Sequence, residues 1–574
     1  MLRLFSTNQI RKVIEIEGDW DFSPVQPGEA IPQAYNHRLP VPGCWEMHPA
    51  FRTYRGKGVY RRFIEITEPA SLRFNFKGIS HTATIIFDGV EVGSHYNAYT
   101  PFHTRVIHDV MPGSHELIII VDNSFHEQSK LHFANDYYTY GGIIRPVGLE
   151  IISPIFIERI QFTPHLRDSA WGGEVVVRVT NSSDMDVFVS TEISLAGISL
   201  ALPECSVHAG ATVEIKGSTE CPDAKPWSHE NPHLYLLDTK LYVDGAAVPS
   251  DDLIERVGFR TVTTYNGRIQ VNGQDIVLKG FNRHEDHPMV GAAFPYPLMV
   301  QDMELMIEAG SNAVRTSHYP NDERFLDLCD ERGILVWEEN HARGFQLDHM
   351  LSPGCQEQCL ACNEEMVISH YNHPSIIIWG ILNECASHTP EGRELYKEQL
   401  AQIRQMDSSR PLTYATHHRD KDLCLDLVDI VSYNLYPGWY TNEDPSTLCD
   451  QARSWADQGG GLGKPMILSE FGGDGYYGLR DATRVRGTEE RQADIIESNL
   501  SAYMQKPYVT GMFIWQFCDC RVVEDTGWLL SRAGTQNSKG IVDKYRRPKL
   551  AFEVVKKHFR KISTFSYEGG THSR

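Results

Sequence analysis

From the N-terminus to about residue 150, apolar and polar residues alternate in short runs rich in β-branched and aromatic side chains: YRRFIEI, SLRFNFKGI, TATIIFDGVEVG and HELIIIVD. A period of two predicts strands with one buried face, and the Asp-Gly of FDGVEVG is a hairpin signal. The style continues from 151 to 262 in IFIERIQFTP, GEVVVRVTN, FVSTEISLAG, ATVEIKG and LYLLDTKLYVDG, which predicts a second β-sandwich. From about 263 to the end, 574, strand-like runs alternate with helical periodicity. Eight strands are read: DIVLKGFN, AVRTSH, ILVWEEN, IIIWGILNE, LTYATHH, IVSYNLYP, PMILSEFG and VTGMFIWQF. Helix candidates between them include PLMVQDMELMIEAG, NDERFLDLCDERG, GRELYKEQLAQIRQMD and EERQADIIESNLSAYMQ. Such βα units predict a parallel sheet, and eight of them fit a (β/α)8 barrel.

A barrel carries its chemistry where its strands end. Polar residues gather at those ends: Asn282, Arg283 and His284; Arg315 and His318; Glu338 and Glu339; Asn383 and Glu384; Asn434 and Tyr436; Glu470; Trp515 and Asp519. Glu338 or Glu339, with Asp302, are expected to tie structure together. Glu384 and Glu470 each close an apolar strand, where a purely structural carboxylate fits poorly. Two carboxylates on one rim can cut a glycosidic bond, one donating a proton and the other attacking carbon or activating water. A separation of about 5–5.5 Å gives retention of configuration and about 6.5–9.5 Å inversion.

Composition narrows the reading. At 41% hydrophobic and 22% charged residues, the chain is of ordinary globular type, and its 574 residues exceed a single core. A formal charge of −21 argues against non-specific nucleic-acid binding, yet leaves room for an anionic substrate held by local cations. The N-terminus lacks the apolar core of a signal peptide, no run reaches the ~20 residues that span a membrane, and the twelve cysteines are scattered. A cytoplasmic protein with free thiols is expected. Cys355, Cys359 and Cys362 offer three of the four ligands of a structural zinc site, which His370 or His373 would have to complete; one face of a helix is the plainer reading, and no metal is expected.

Four motifs in order, GFNRHEDHP, AVRTSHYP, NHPSIIIWGILNE and ILSEFGG, resemble the successive barrel motifs of the family 2 glycoside hydrolases, most closely its β-glucuronidases. The resemblance spans nearly the whole chain. It implies a jelly-roll, sugar-binding-like sandwich (1–150), an immunoglobulin-like sandwich (151–262) and a catalytic barrel (263–574), without a cofactor. It also implies a retaining exo-β-glycosidase acting on terminal β-D-hexuronides, as a homo-oligomer. Carried over residue by residue, Glu384 is the acid/base, Glu470 the nucleophile, and Asn383 the partner of the sugar 2-hydroxyl. Arg283 and Tyr436 are candidates to keep Glu470 ionised.

Asn537-Ser538-Lys539 resembles the Asn-x-Lys motif that holds a uronate carboxylate, a task suited to one fixed cation and one directional N–H. Asp136, His318, Asn434, Tyr436 and Arg532 are further sugar contacts on this reading, and Trp515 is the aromatic floor. Two features depart from the family pattern. One extra residue separates Arg532 from Asn537. Arg521 replaces an apolar residue; it either reaches O4 or the carboxylate, admitting the C4 epimer galacturonic acid, or points to solvent. The short segment before NHPS implies an open mouth. Alternatives are a galacturonidase, a β-galactosidase without the clamp, a carbohydrate-binding protein with a degenerate barrel, and a metal-dependent hydrolase using His284, His318, His417 and His418.

Overall fold

The computed structural model describes residues 1–25, 31–32, 34–524 and 531–561. The first sandwich packs a six-stranded antiparallel sheet against a five-stranded one. Its strands alternate as the sequence does: in Thr82–Phe87, Ala83, Ile85 and Phe87 are buried. The hairpin to Val90–Tyr96 turns through Asp88 and Gly89, both at positive φ (48° and 78°), as an Asp-Gly turn requires. Phe22, Trp45, Tyr60, Phe74 and Phe76 fill the space between the sheets.

The second sandwich sets Ile155–Arg167, Ala170–Asn181 and Thr212–Glu220 against a five-stranded sheet centred on Val187–Leu195 and Tyr235–Val243. Val175, Val177, Val179, Ile193, Leu237 and Leu241 form its core. A three-stranded meander, Val262–Tyr265, Arg268–Val271 and Gln274–Ile276, follows. Its Ile269, Val271 and Ile276 pack with the barrel residues Leu335, Trp337, Ile377, Ile467 and Phe513.

The barrel strands are Leu278–Asn282, Ala313–Arg315, Leu335–Glu339, Ile376–Gly380, Leu412–Thr413 with Ala415–Thr416, Val431–Asn434, Met466–Phe471 and Val509–Ile514. All pair in parallel, and the first pairs with both the second and the eighth. The fifth is broken at Tyr414; one half pairs with the fourth strand and the other with the sixth. Helices follow seven strands, and a short 3-10 turn, Arg419–Lys421, follows the fifth. Asp322, Thr389, Asp444 and Thr488 cap helix N-termini by accepting backbone N–H bonds.

The two sandwiches and the barrel meet through buried ion pairs. Arg3 holds Asp327 at 2.8 Å, and Arg145 holds Glu285 at 2.8 Å. No described helix is long and apolar enough to cross a membrane.

Candidate active site

The fourth strand is buried along its whole length, as expected for IIIWG inside a barrel. Beyond it the backbone turns sharply. Leu382 and Glu384 sit at φ +46° and +54°, left-handed positions that cost non-glycine residues roughly 1–3 kcal/mol each. Backbone bonds from Asn383 N to Ala342 O (3.0 Å) and from Glu384 N to Ala415 O (2.9 Å) hold the turn. Asn383 and Glu384 thereby line a cavity of about 460 Å³, together with Glu470. Phe133–Tyr137 of the first sandwich contributes to the wall of that cavity.

Glu470, near the end of the seventh strand, receives Arg315 Nη1 on Oε1 at 3.0 Å and Tyr436 Oη on Oε2 at 2.7 Å. The Arg315 guanidinium is fully buried and also donates to Glu339 (2.9 Å twice), Asn282 Oδ1 (3.0 Å) and Asn383 Oδ1 (2.8 Å). Glu384 Oε1 accepts from Asn434 Nδ2 at 2.8 Å and lies 3.1 Å from His417 Nδ1. His318 stacks on Trp515, with ring centroids 5.0 Å apart, and turns Nδ1 to Glu339 at 2.7 Å.

Burial and the facing charge of Glu384 push Glu470 up to about 8, against Arg315 and Tyr436. For Glu384, burial is outweighed by the His417 hydrogen bond and charge and by Asn434, which bring it down to about 2. The two groups are one buried pair. Burial and the facing carboxylate make Glu470 the harder of the two to ionise, and His417 and Asn434 make Glu384 the easier. Two carboxyl groups on one rim whose surroundings push their titrations apart are chemically suited to glycosidic cleavage.

A second cluster starts at this wall and runs one layer deeper. Arg532 Nε donates to Asp136 Oδ1 at 2.8 Å, and Asn537 Nδ2 donates to Asp136 Oδ2 at 2.8 Å. Lys539 Nζ donates to Asp474 Oδ1 at 3.1 Å and lies 5.2 Å from the Trp439 ring. Burial raises Asp136 despite Arg532 and Lys539. Asp136 and Arg532 line the cavity; Asn537 and Lys539 sit one layer deeper.

Residues 262–564 match the model described as the TIM barrel domain of glycosyl hydrolases family 2, and residues 155–260 match that of glycosyl hydrolases family 2. The chain belongs to glycoside hydrolase family 2. A GH2 β-galacturonidase from Eisenbergiella tayi, solved bound to galacturonate, is 45% identical over 98% of this chain and 99% of its own, with a TM-score of 0.93. A β-glucuronidase from an uncultured Clostridium is 26% identical over 98% of this chain and all of its own, with a TM-score of 0.85. The β-glucuronidase of Streptococcus agalactiae is 27% identical over 96% of this chain and 97% of its own.

Within this family 2 enzyme, Glu384, Glu470, Asn383, Asn434, Tyr436, His318, Trp515, Asp136 and Arg532 line one cavity. Two expectations are corrected. Arg283 does not reach Glu470; it pairs with Asp302 at 3.0 Å and donates to Asn321 at 3.0 Å, while Arg315, one strand over, takes the carboxylate. Arg521 does not enter the glutamate cavity. Its guanidinium lies 3.9 Å over the Tyr138 ring and donates to Arg52 O at 3.2 Å, lining a separate cavity of about 190 Å³.

The cysteines are a helix face: Cys355, Cys359 and Cys362 are buried on Cys355–His370, and His370 and His373 turn Nδ1 to Glu338 and Asp330 instead. The sequence reading also missed Asp474, four residues past Glu470, and Arg343. Arg343 lines the cavity beside Asn383 with Nε 3.2 Å from Tyr137 Oη, and its buried Nη2 has no hydrogen-bond partner among the described residues. A lone arginine in a loop gives no sequence signal for that position.

Proposed function

We propose that this enzyme is a retaining exo-β-hexuronidase cleaving terminal β-D-hexuronides, with the β-D-galacturonide as preferred epimer over the β-D-glucuronide. The observation that carries the reading is the pairing of Glu384 and Glu470 in one cavity that adjoins a cluster of Arg532, Lys539 and Asn537. In this reading Glu384 protonates the leaving oxygen while Glu470 attacks the anomeric carbon. Arg315 and Tyr436 stabilise the charged nucleophile, and Asn383 meets the 2-hydroxyl. Trp515 offers an apolar face to the ring.

The substrate carboxylate competes with Asp136 and Asp474 for Asn537 and Lys539, whose donors those protein carboxylates now occupy. The galacturonide preference is supported by the 45% likeness to a β-galacturonidase, against 24–28% for the β-glucuronidases. It is also supported by Arg343, a cation whose unsatisfied N–H suits a further oxygen of the sugar. Twelve unpaired thiols fit a reducing, cytoplasmic setting.

The roles are tested by substitution. Glu470→Gln is expected to abolish turnover. Glu384→Ala is expected to lower kcat/KM for an alkyl uronide by about 10²–10⁴-fold and kcat/KM for a dinitrophenyl uronide far less, because cleavage with a good leaving group needs no acid, while kcat on the dinitrophenyl uronide falls with the lost base. Proton NMR of the first-formed sugar should show the β anomer; an α anomer formed first would contradict retention.

A further inference from the structure

His417 belongs to none of the groups that hold the sugar in the proposed function, on which this inference rests. It follows the fifth strand, whose two short halves place it across the rim from Glu384. Its Nδ1 lies 3.1 Å from Glu384 Oε1, with its side chain 45% exposed against 27% for Glu384. It therefore bridges the acid/base carboxylate and solvent. No described lysine or arginine pairs with Glu384; Arg315 serves Glu470, Glu339 and Asn383. The neighbouring His318 is held well below its usual range by burial and by Arg315, and it stays neutral.

The groups facing His417 come from several elements. Glu384 lies beyond the fourth strand, Glu470 on the seventh, and Asp422 after the fifth. His418 packs edge-on at 4.4 Å and is itself 3.2 Å from His388, and Arg419 next to it is neutralised by Glu443. Burial disfavours the imidazolium, but the hydrogen bond and charge of Glu384 outweigh it, so His417 titrates above its usual value. Both glutamates and Asp422 pull in that direction, while burial and His417 push His418 down to about 4.

A retaining cycle asks opposite things of Glu384. It must carry a proton when the leaving oxygen departs, then remain a carboxylate until water arrives. We propose that His417 is a positioning residue that holds Glu384 as a carboxylate between the two half-reactions, making it an effective base for the deglycosylating water. The proton balance closes. Glu384 gives its proton to the aglycone oxygen as the Glu470–C1 bond forms. It takes one from water as the water oxygen bonds C1 and the Glu470 ester breaks. His417 keeps its own proton throughout and supplies charge and a hydrogen bond.

The test compares the unsubstituted enzyme with His417→Gln and His417→Phe on a dinitrophenyl β-D-uronide, whose turnover is limited by deglycosylation, and on an alkyl β-D-uronide, limited by glycosylation. Without the imidazolium, Glu384 binds its proton more tightly. The acid limb of kcat on the dinitrophenyl substrate should move to higher pH, with about tenfold loss near that limb for each pH unit moved. A burst of dinitrophenolate should grow as the glycosyl-enzyme accumulates. The alkyl uronide should lose less. His417→Gln, which keeps a donor without the charge, should fall between the other two proteins. Equal losses on both substrates with an unmoved acid limb would overturn the proposal and leave His417 a structural residue. Absence of uronide turnover in the unsubstituted enzyme would remove the hexuronidase reading and this proposal with it.

Discussion

At the level of single residues, the place of Glu384 and Glu470 in one cavity could be read because each carboxylate closes an apolar run, where nothing but a pocket justifies it. The partner of Glu470 was not visible. Arg283 and Arg315 end adjacent strands, and only the barrel's packing sends one guanidinium outward to Asp302 and the other inward to Glu470. Arg521 was undecidable for the same reason, since the direction of one side chain in a short strand settles it.

The inward position of Arg315 has a pH consequence. Burial and the facing Glu384 carboxylate push Glu470 up to about 8, so kcat/KM should decline as pH rises through about 8. Arg315 favours the charged form of Glu470. Arg315→Met should therefore raise the upper titration, move the alkaline limb to higher pH and lower kcat at neutral pH by about 100-fold, the scale of losing one preorganised donor. An unmoved alkaline limb in a steady-state pH profile would contradict the assignment of Arg315.

Among the elements, the helices were legible from their periodicity and their caps, and the strands from their apolar runs. The break in the fifth strand was not, because LTYATHH reads as one uninterrupted run. In the structure the side chain of Tyr414 bonds Asp422 at 2.6 Å while its two flanking pairs serve different neighbours. The short strand Gln536–Asn537 was equally hidden. It pairs with Cys520–Arg521 and presents the Asn-x-Lys segment, yet two residues carry no periodicity.

Buried Lys549 anchors that segment, with Nζ bonded to Asp519 Oδ1 (2.7 Å), Gly475 O (2.5 Å) and Ser538 O (3.1 Å). Lys549→Met leaves Asp519, already raised to about 7 by burial, without its cation. Chemical denaturation should show a loss of about 3 kcal/mol, as expected for breaking a buried pair. A change under about 1 kcal/mol would mean the segment is held by other contacts.

Across the whole molecule, the order of two sandwiches and a barrel could be read from the change in hydrophobic period near residue 263. How they meet could not, because ion pairs such as Arg3 with Asp327 join residues hundreds of positions apart. The cavity depends on that meeting: the first sandwich supplies Asp136, and the segment after the eighth strand supplies Arg532 and Asn537 to hold it. The net charge of −21 is a poor guide at this point, where Arg532 and Lys539 are matched one for one by Asp136 and Asp474.

The central claim is that this cluster reads a uronate carboxylate. The direct measurement is kcat/KM for p-nitrophenyl β-D-galacturonide, β-D-glucuronide and β-D-galactoside in the unsubstituted enzyme and in Lys539→Ala. Both uronides should exceed the galactoside, with the galacturonide first. Lys539→Ala should cost the uronides about 10- to 100-fold, the scale of a charge-assisted hydrogen bond, and leave the galactoside nearly unchanged. An equal loss on all three substrates would contradict the claim.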